Sequence, residues 1–119
     1  QFFIVNTDPS FQPGKHWVLF YFPKDGGAEF FDPLGHSPDY YHEHFAWFLI
    51  NHGPNYEYNA LRVQEFSSDT CGNHCLFYAL HRCRGWSMQY ILNLYYGFTL
   101  SQKDVMVQEF TRALLNSLA

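Results

Sequence analysis

The sequence predicts an α+β domain, a small mixed or antiparallel sheet packed against helices, and three observations predict it. Short aromatic and β-branched runs in the first third, FFIVN, HWVLFYF and AEFFD, are divided by turn-forming residues, as strands are. Later stretches carry apolar residues at helical spacing behind helix-start signals. The 119 residues, 47% of them hydrophobic, suffice for one core and not for two. One domain over residues 1–119 is expected.

Residues 2–6 read as a first strand closed by Thr7-Asp8-Pro9, and residues 16–22, bounded by Pro13-Gly14 and Pro23, as a second. Lys24-Asp25-Gly26-Gly27 forms a hairpin turn into a third strand, AEFFD, ending at Asp32 before Pro33. Ser37-Pro38 is a cap followed by proline at the first helical position. Tyr41, Phe45, Phe48 and Leu49 then share one helical face until Gly53-Pro54. Residues 60–65 alternate Leu61 and Val63 against Arg62 and Gln64, a fourth strand. A helix over 71–84 carries Leu76, Ala79, Leu80 and Cys83 on its apolar face and ends at Gly85. A shorter helix near 87–96 follows. For the last helix Ser101 and Asp104 make a capping-box variant, with Val105, Phe110, Leu114 and Leu118 among its apolar residues.

Composition narrows the function classes. A net charge of -4 and a pI near 5.9, with seven scattered Lys and Arg, speak against a broad nucleic-acid surface. No apolar stretch approaches the ~20 residues of a membrane span. Three cysteines, an odd count, suit free thiols in a reducing, intracellular compartment better than a disulfide framework. The chain starts in an apolar run with neither initiator Met nor basic leader, as a piece of a longer protein would.

Chemistry centres on LRVQEFSSDTCGNHC, residues 61–75. A polar amide and a cluster of capping residues precede a cysteine at the start of an apolar helix. A thiol with a pKa near ~8.5 is little ionised at neutral pH. A helix N-terminus favours the thiolate through its partial positive charge and unpaired N–H groups, which can also receive an oxyanion. Cys71 is therefore a candidate nucleophile, with Asp69 or Thr70 capping its helix and Gly72 letting a substrate backbone approach. The plain alternative is a small buried hydrophobe, the usual fate of a free cysteine. Cys75, one turn on, and Cys83 are read that way.

A nucleophile needs a base, and the base an orienting group. His16 heads an apolar strand and Asp32 ends the next, so a hairpin would bring them side by side. A carboxylate there would hold one imidazole tautomer and stabilise the imidazolium. Taken singly, His16 reads as a strand-end histidine, Asp32 as a turn-forming Asp-Pro and Gln64 as a surface glutamine. An amide before the cysteine helix could equally donate to an oxyanion.

Together these residues carry a resemblance. His16-Trp17 on a strand, Asp32 in FFDPLG, and Gln64 seven positions before Cys71-Gly72 resemble the adenovirus-type (adenain-like) cysteine proteases. More distantly the pattern is similar to the proteases that process SUMO and other ubiquitin-like proteins. Related forms occur in large DNA viruses and capsid-encoding DNA transposons, which the CGNHC wording fits. The resemblance implies a papain-like α+β fold with the order His, acid, Gln, Cys. It implies His16 as general base, Asp32 as its orienting partner, Cys71 as nucleophile, and Gln64 with the Cys71 N–H as oxyanion donors. Trp17 would wall a narrow substrate cleft that takes small residues, commonly glycine, beside the scissile bond. The implied substrate is a protein: a viral or capsid-type precursor, or a ubiquitin-like protein. The compartment would be the host nucleus or cytoplasm, or the virion.

Departures are visible as well. The adenoviral enzymes have Glu at the position of Asp32, whereas the ubiquitin-like-protein proteases have Asp. The adenoviral enzymes are basic and use DNA and a disulfide-linked peptide. This chain is acidic and has no clear counterpart of the linking cysteine, so that form of activation is not expected. An activating partner is left open. The family's segment before the first strand and its longer C-terminal part have no match here, so cleft walls would be incomplete.

Two further readings compete. A zinc module could draw on Cys71, His74, Cys75, His81 and Cys83, but no second ligand pair completes the usual spacing. His42 and His44 fit the solvated side of a helix, and neither a metal nor another cofactor is expected. An inactive, protease-like binding domain is the other reading. The four filled chemical positions argue against it.

Overall fold

Alternation of side chains decides how the sheet is covered. In β2 (Trp17–Tyr21) Val18 and Phe20 face one way and Leu19 the other. In β3 (Ala28–Phe31) Ala28 and Phe30 join Val18 and Phe20, while Phe31 joins Leu19. A strand buried on both faces is apolar on both except where a polar group is paired, and every residue of β3 is buried, Glu29 by way of Tyr78 and Arg82. The computed structural model describes residues 1–7, 16–52 and 55–118. The expected turn residues Asp8-Pro9 and Pro13-Gly14, and the Gly53-Pro54 stop, lie outside the described residues.

The sheet runs in the order β1 (Phe2–Asn6), β2, β3, β4 (Tyr56–Tyr58). β1 and β2 pair antiparallel from Phe2↔Tyr21 to Asn6↔Trp17, and β2 and β3 antiparallel from Leu19↔Phe31 to Tyr21↔Glu29. Gly26 and Gly27, at φ 99° and 80°, make the expected hairpin turn in backbone that glycine enters without strain. β4 lies parallel to β3, so the connection must cross over a sheet face. It does so through a 3₁₀ turn (Pro38–Tyr40) and α1 (Glu43–His52). Helices α2 (Cys71–Cys83), α3 (Met88–Asn93) and α4 (Leu100–Leu118) contribute to the core on the opposite face.

Several expectations are corrected. Residues 60–65 are not a strand. The fourth strand is the preceding YEY, because Ala60 takes a left-handed backbone (φ 51°) and the Asn59 side chain binds the backbone of Asp32 and Leu61. Ser37-Pro38 opens only a 3₁₀ turn, since Tyr41 is extended and sends its hydroxyl to Asp32. Tyr41, Phe45, Phe48 and Leu49 nevertheless join one core cluster as expected. On α2 the buried residues are Cys71, His74, Cys75, Phe77, Tyr78 and His81, and Cys83 is exposed, not core. Hydropathy misplaced that face because its polar atoms find buried partners. Tyr78 donates to Glu29 Oε1 at 2.5 Å, and Arg82 grips Glu29 at 3.0 and 2.7 Å, stitching α2 to the sheet. At α4 the reciprocal cap is Thr99 with Gln102, at 2.9 and 3.2 Å, not Ser101 with Asp104. Val105 and Leu118 are exposed and Val107 is the fully buried residue, because Asp104 itself faces inward.

Candidate active site

The β2–β3 register, extended one step beyond Leu19↔Phe31, sets Asp32 opposite Val18. Alternation puts the residue before β2 on the same face as Val18. His16 Nε2 meets Asp32 Oδ1 at 2.6 Å there, with the carboxylate fully buried. Asp32 also accepts the Leu34 N–H (2.9 Å) on Oδ1, and the His36 N–H (3.2 Å) and Tyr41 hydroxyl (2.5 Å) on Oδ2. Its own backbone is clamped: Asn59 Oδ1 accepts its N–H at 3.0 Å, and Asn59 Nδ2 donates to its carbonyl at 2.6 Å. The following Pro-Leu-Gly turn lies hard against residues 61–63. Val63 donates its N–H to Pro33 O at 2.8 Å, and a Cβ on Gly35 (φ +81°) would meet Arg62 N and Leu61 C at 2.8 Å.

Cys71 is the first residue of α2 and only 3% exposed. Its Sγ accepts the Trp17 N–H at 3.3 Å and lies close enough to the His16 ring for each to shift the other's pKa. With Nε2 committed to Asp32, the ring nitrogen left for the sulfur is Nδ1. One turn on, the Cys75 thiol donates to Trp17 O at 3.6 Å, so two sulfurs bracket one residue's backbone. Their chemistry diverges. Burial alone would raise the Cys71 pKa, but the His16 ring and the Trp17 and Gly72 N–H groups bring it below the ordinary thiol value. Burial pushes the Cys75 thiol well up, with no donor to oppose it. Burial likewise works against a charged His16, yet Asp32 and Cys71 outweigh it and raise its pKa to about 9.

The expected cap of α2 is corrected. Thr70 occupies the N-cap position, but its side chain makes no capping bond and donates to Asp104 Oδ1 at 2.8 Å. The first N–H groups of a helix have no acceptor within it, and here no cap residue's side chain takes them. Gln64 is buried, 2% exposed, and not the surface residue its type suggests. Its Nε2 donates to Ser68 O at 3.0 Å, while its Oε1 has no partner among the described residues. Trp17 is 40% exposed beside the sulfur, and open space adjoins the Gly72 Cα.

His16 is thus bonded to Asp32 and stands beside the Cys71 sulfur, with Trp17 and Gly72 against that sulfur. No protein-family profile and no curated protein matches the sequence. Among solved structures, the crystal structure of the selenomethionine form of the ASFV pS273R protease aligns with a TM-score of 0.53 at 24% identity. The fold is shared. The alignment covers 87% of this chain and 40% of that one. The α+β class, with a small mixed sheet against helices, is the architecture of that protease neighbour.

Sequence reasoning missed Tyr41, Asn59 and Asp104. Tyr41 carried only an apolar-face signal, and Asn59 and Asp104 carried none that pointed to the site. His74, weighed as a metal ligand, has both ring nitrogens engaged, by Tyr95 at 2.9 Å and Asp104 at 2.8 Å. His42 and His44 are exposed at the start of α1.

Proposed function

We propose that the chain is a cysteine endopeptidase that reacts through Cys71 and His16. One observation carries the proposal: a single imidazole binds a buried carboxylate at 2.6 Å and stands beside a sulfur at a helix start, each shifting the other's pKa. Packing does not require such an arrangement. Nucleophilic catalysis does. A fold shared with a protease supports the reading.

In this mechanism the pair rests as thiolate and imidazolium, the state favoured by a lowered Cys71 and a raised His16. The thiolate attacks the scissile carbonyl carbon, and the displaced electron pair moves to its oxygen. The N–H of Cys71 and the second N–H of Gln64 receive that oxyanion. His16 gives its proton to the leaving amine as the C–N bond breaks, which leaves a thioester on Sγ. Water, deprotonated by the neutral ring, then hydrolyses the thioester. Asp32 holds the ring in register throughout.

By resemblance, the substrates are capsid-type or scaffold precursor proteins cut beside glycine, inside a host cell or a virion. Removal of a ubiquitin-like protein, which also ends in glycine, is the sister reading. A peptide library and a peptide electrophile ending in glycine test the proposal together. Cleavage beside glycine and labelling at Cys71 are expected, both absent from Cys71→Ala. Labelling shared equally with Cys83, or no cleavage of any peptide, would point to a binding domain instead.

A further inference from the structure

A second buried polar chain runs from Asp104 of α4 to the Gln64 amide, and the proposed mechanism gives a step only to its last member. Asp104 of α4, 6% exposed, accepts the Thr70 hydroxyl at 2.8 Å and a His74 ring N–H at 2.8 Å on Oδ1, and the Glu65 N–H at 3.3 Å on Oδ2. Thr70 Oγ1 lies 3.0 Å from Ser68 Oγ, and the Ser68 carbonyl in turn holds Gln64 Nε2 at 3.0 Å. His74 is fully buried with Tyr95 on its other nitrogen. Burying a carboxylate is costly unless donors surround it. Every donor that Asp104 has gathered belongs either to the 64–70 segment or to α2.

We propose that Asp104 is the positioning residue for the oxyanion side of the site, a proposal that rests on the peptidase reading above. It acts in two ways. It draws the Thr70 hydroxyl off the first turn of α2, leaving those N–H groups without a side-chain cap and open to an oxyanion. Through Glu65 and the Thr70–Ser68 link it also sets the loop that aims the Gln64 amide. An apolar residue in the same space would fill the core and do neither.

The test separates steps that need an oxyanion site from one that does not. A peptide aldehyde ending in glycine becomes a hemithioacetal whose oxygen carries the developing charge. Iodoacetamide alkylates the thiolate without forming an oxyanion. In Asp104→Asn aldehyde affinity and kcat should each fall about tenfold or more, whereas Thr70→Val, which leaves no hydroxyl to cap α2 and breaks only the link to Ser68, should lower them less. KM, the alkylation rate and its pH profile should stay within about twofold. A folded Asp104→Asn with unchanged aldehyde affinity overturns the proposal, as does a Thr70→Val that loses as much as Asp104→Asn, and so does alkylation that falls in parallel, which would make Asp104 a general support of α2. Should wild-type Cys71 alkylate while the protein neither binds the aldehyde nor cleaves peptides, the peptidase reading itself fails and takes this proposal with it.

Discussion

His16 and Asp32, sixteen positions apart, meet at 2.6 Å because the antiparallel pairing of β2 with β3 carries both to one end and one face of the sheet. The carboxylate is already surrounded by the Leu34 and His36 N–H groups and the Tyr41 hydroxyl, so it stays fixed when the ring moves its proton. Asp32→Asn keeps the volume and removes the charge. It should lower kcat by about 10²–10⁴ and shift the alkaline limb of activity from about 9 toward 6.5. The pH dependence of kcat/KM checks both; an unmoved limb would detach His16 from Asp32.

Wild-type activity should be bell-shaped in pH. The alkaline limb near 9 reports loss of the His16 proton, and the acid limb, below the ordinary thiol value, reports protonation of Cys71. Stability follows from the same shifts. The raised His16 contributes stabilisation that is complete below 6.5 and lost as pH rises through about 9. The lowered Cys71 contributes in the opposite sense, present above its ordinary value and lost as pH falls through its folded value. Between 6.5 and about 9 the ring's contribution falls as pH rises, while the sulfur's grows above its folded value. The share of Tm owed to the pair should therefore fall less across that window than the ring alone would make it. A Tm that falls by the ring's full share, in wild type but not in His16→Ala, would mean that the native sulfur keeps its proton.

Gln64→Ala should reduce kcat by about 10²–10³ with little change in KM, whereas Cys71→Ala should abolish turnover. Steady-state kinetics on one glycine-containing peptide compare the two. Full turnover in Gln64→Ala would remove the amide from the oxyanion site.

Gly35→Ala should destabilise the fold by more than about 1 kcal/mol. The backbone there is left-handed, and the new Cβ would meet main-chain atoms of residues 61 and 62 at 2.8 Å. That turn also carries Asp32, so activity should fall with stability. Urea denaturation beside a peptide assay would show it; an unchanged midpoint would mean that the turn can shift.

Arg82→Ala strands the buried Glu29 carboxylate against the Tyr78 hydroxyl. Removing one partner of a buried pair costs about 3–5 kcal/mol. Part of this pair reaches solvent, so a value toward the lower end is expected, with Cys71 alkylation intact in the folded fraction. Chemical denaturation measures it, and no loss would mean that water replaces the guanidinium.

The Lys24–Gly27 hairpin, the three opening strands and the helix that starts at Cys71 were all readable, because turn residues, aromatic runs and helix-start signals are local properties. His16, Asp32 and Cys71 could be nominated from type and position within those elements. The buried face of α2 could not, since His74, Tyr78 and His81 are polar by type and enter the core only because Asp104, Tyr95, Glu29 and the Phe77 carbonyl await them. The strand expected at 60–65 failed for a related reason. Alternating apolar residues are compatible with a strand, but Asn59 takes the backbone of Asp32 and Leu61 instead.

The order of chemistry-bearing residues, the strand and helix signals around them and the thiol at a helix start belong to the sequence by itself. Which ring nitrogen meets Asp32, which of two cysteines one turn apart has its pKa lowered, and which carboxylate braces the loop were decided only by the tertiary structure. The physical reason is range. Propensity and patterning act over a few residues, whereas a pKa or a buried hydrogen bond depends on groups brought within about 3–4 Å from distant parts of the chain.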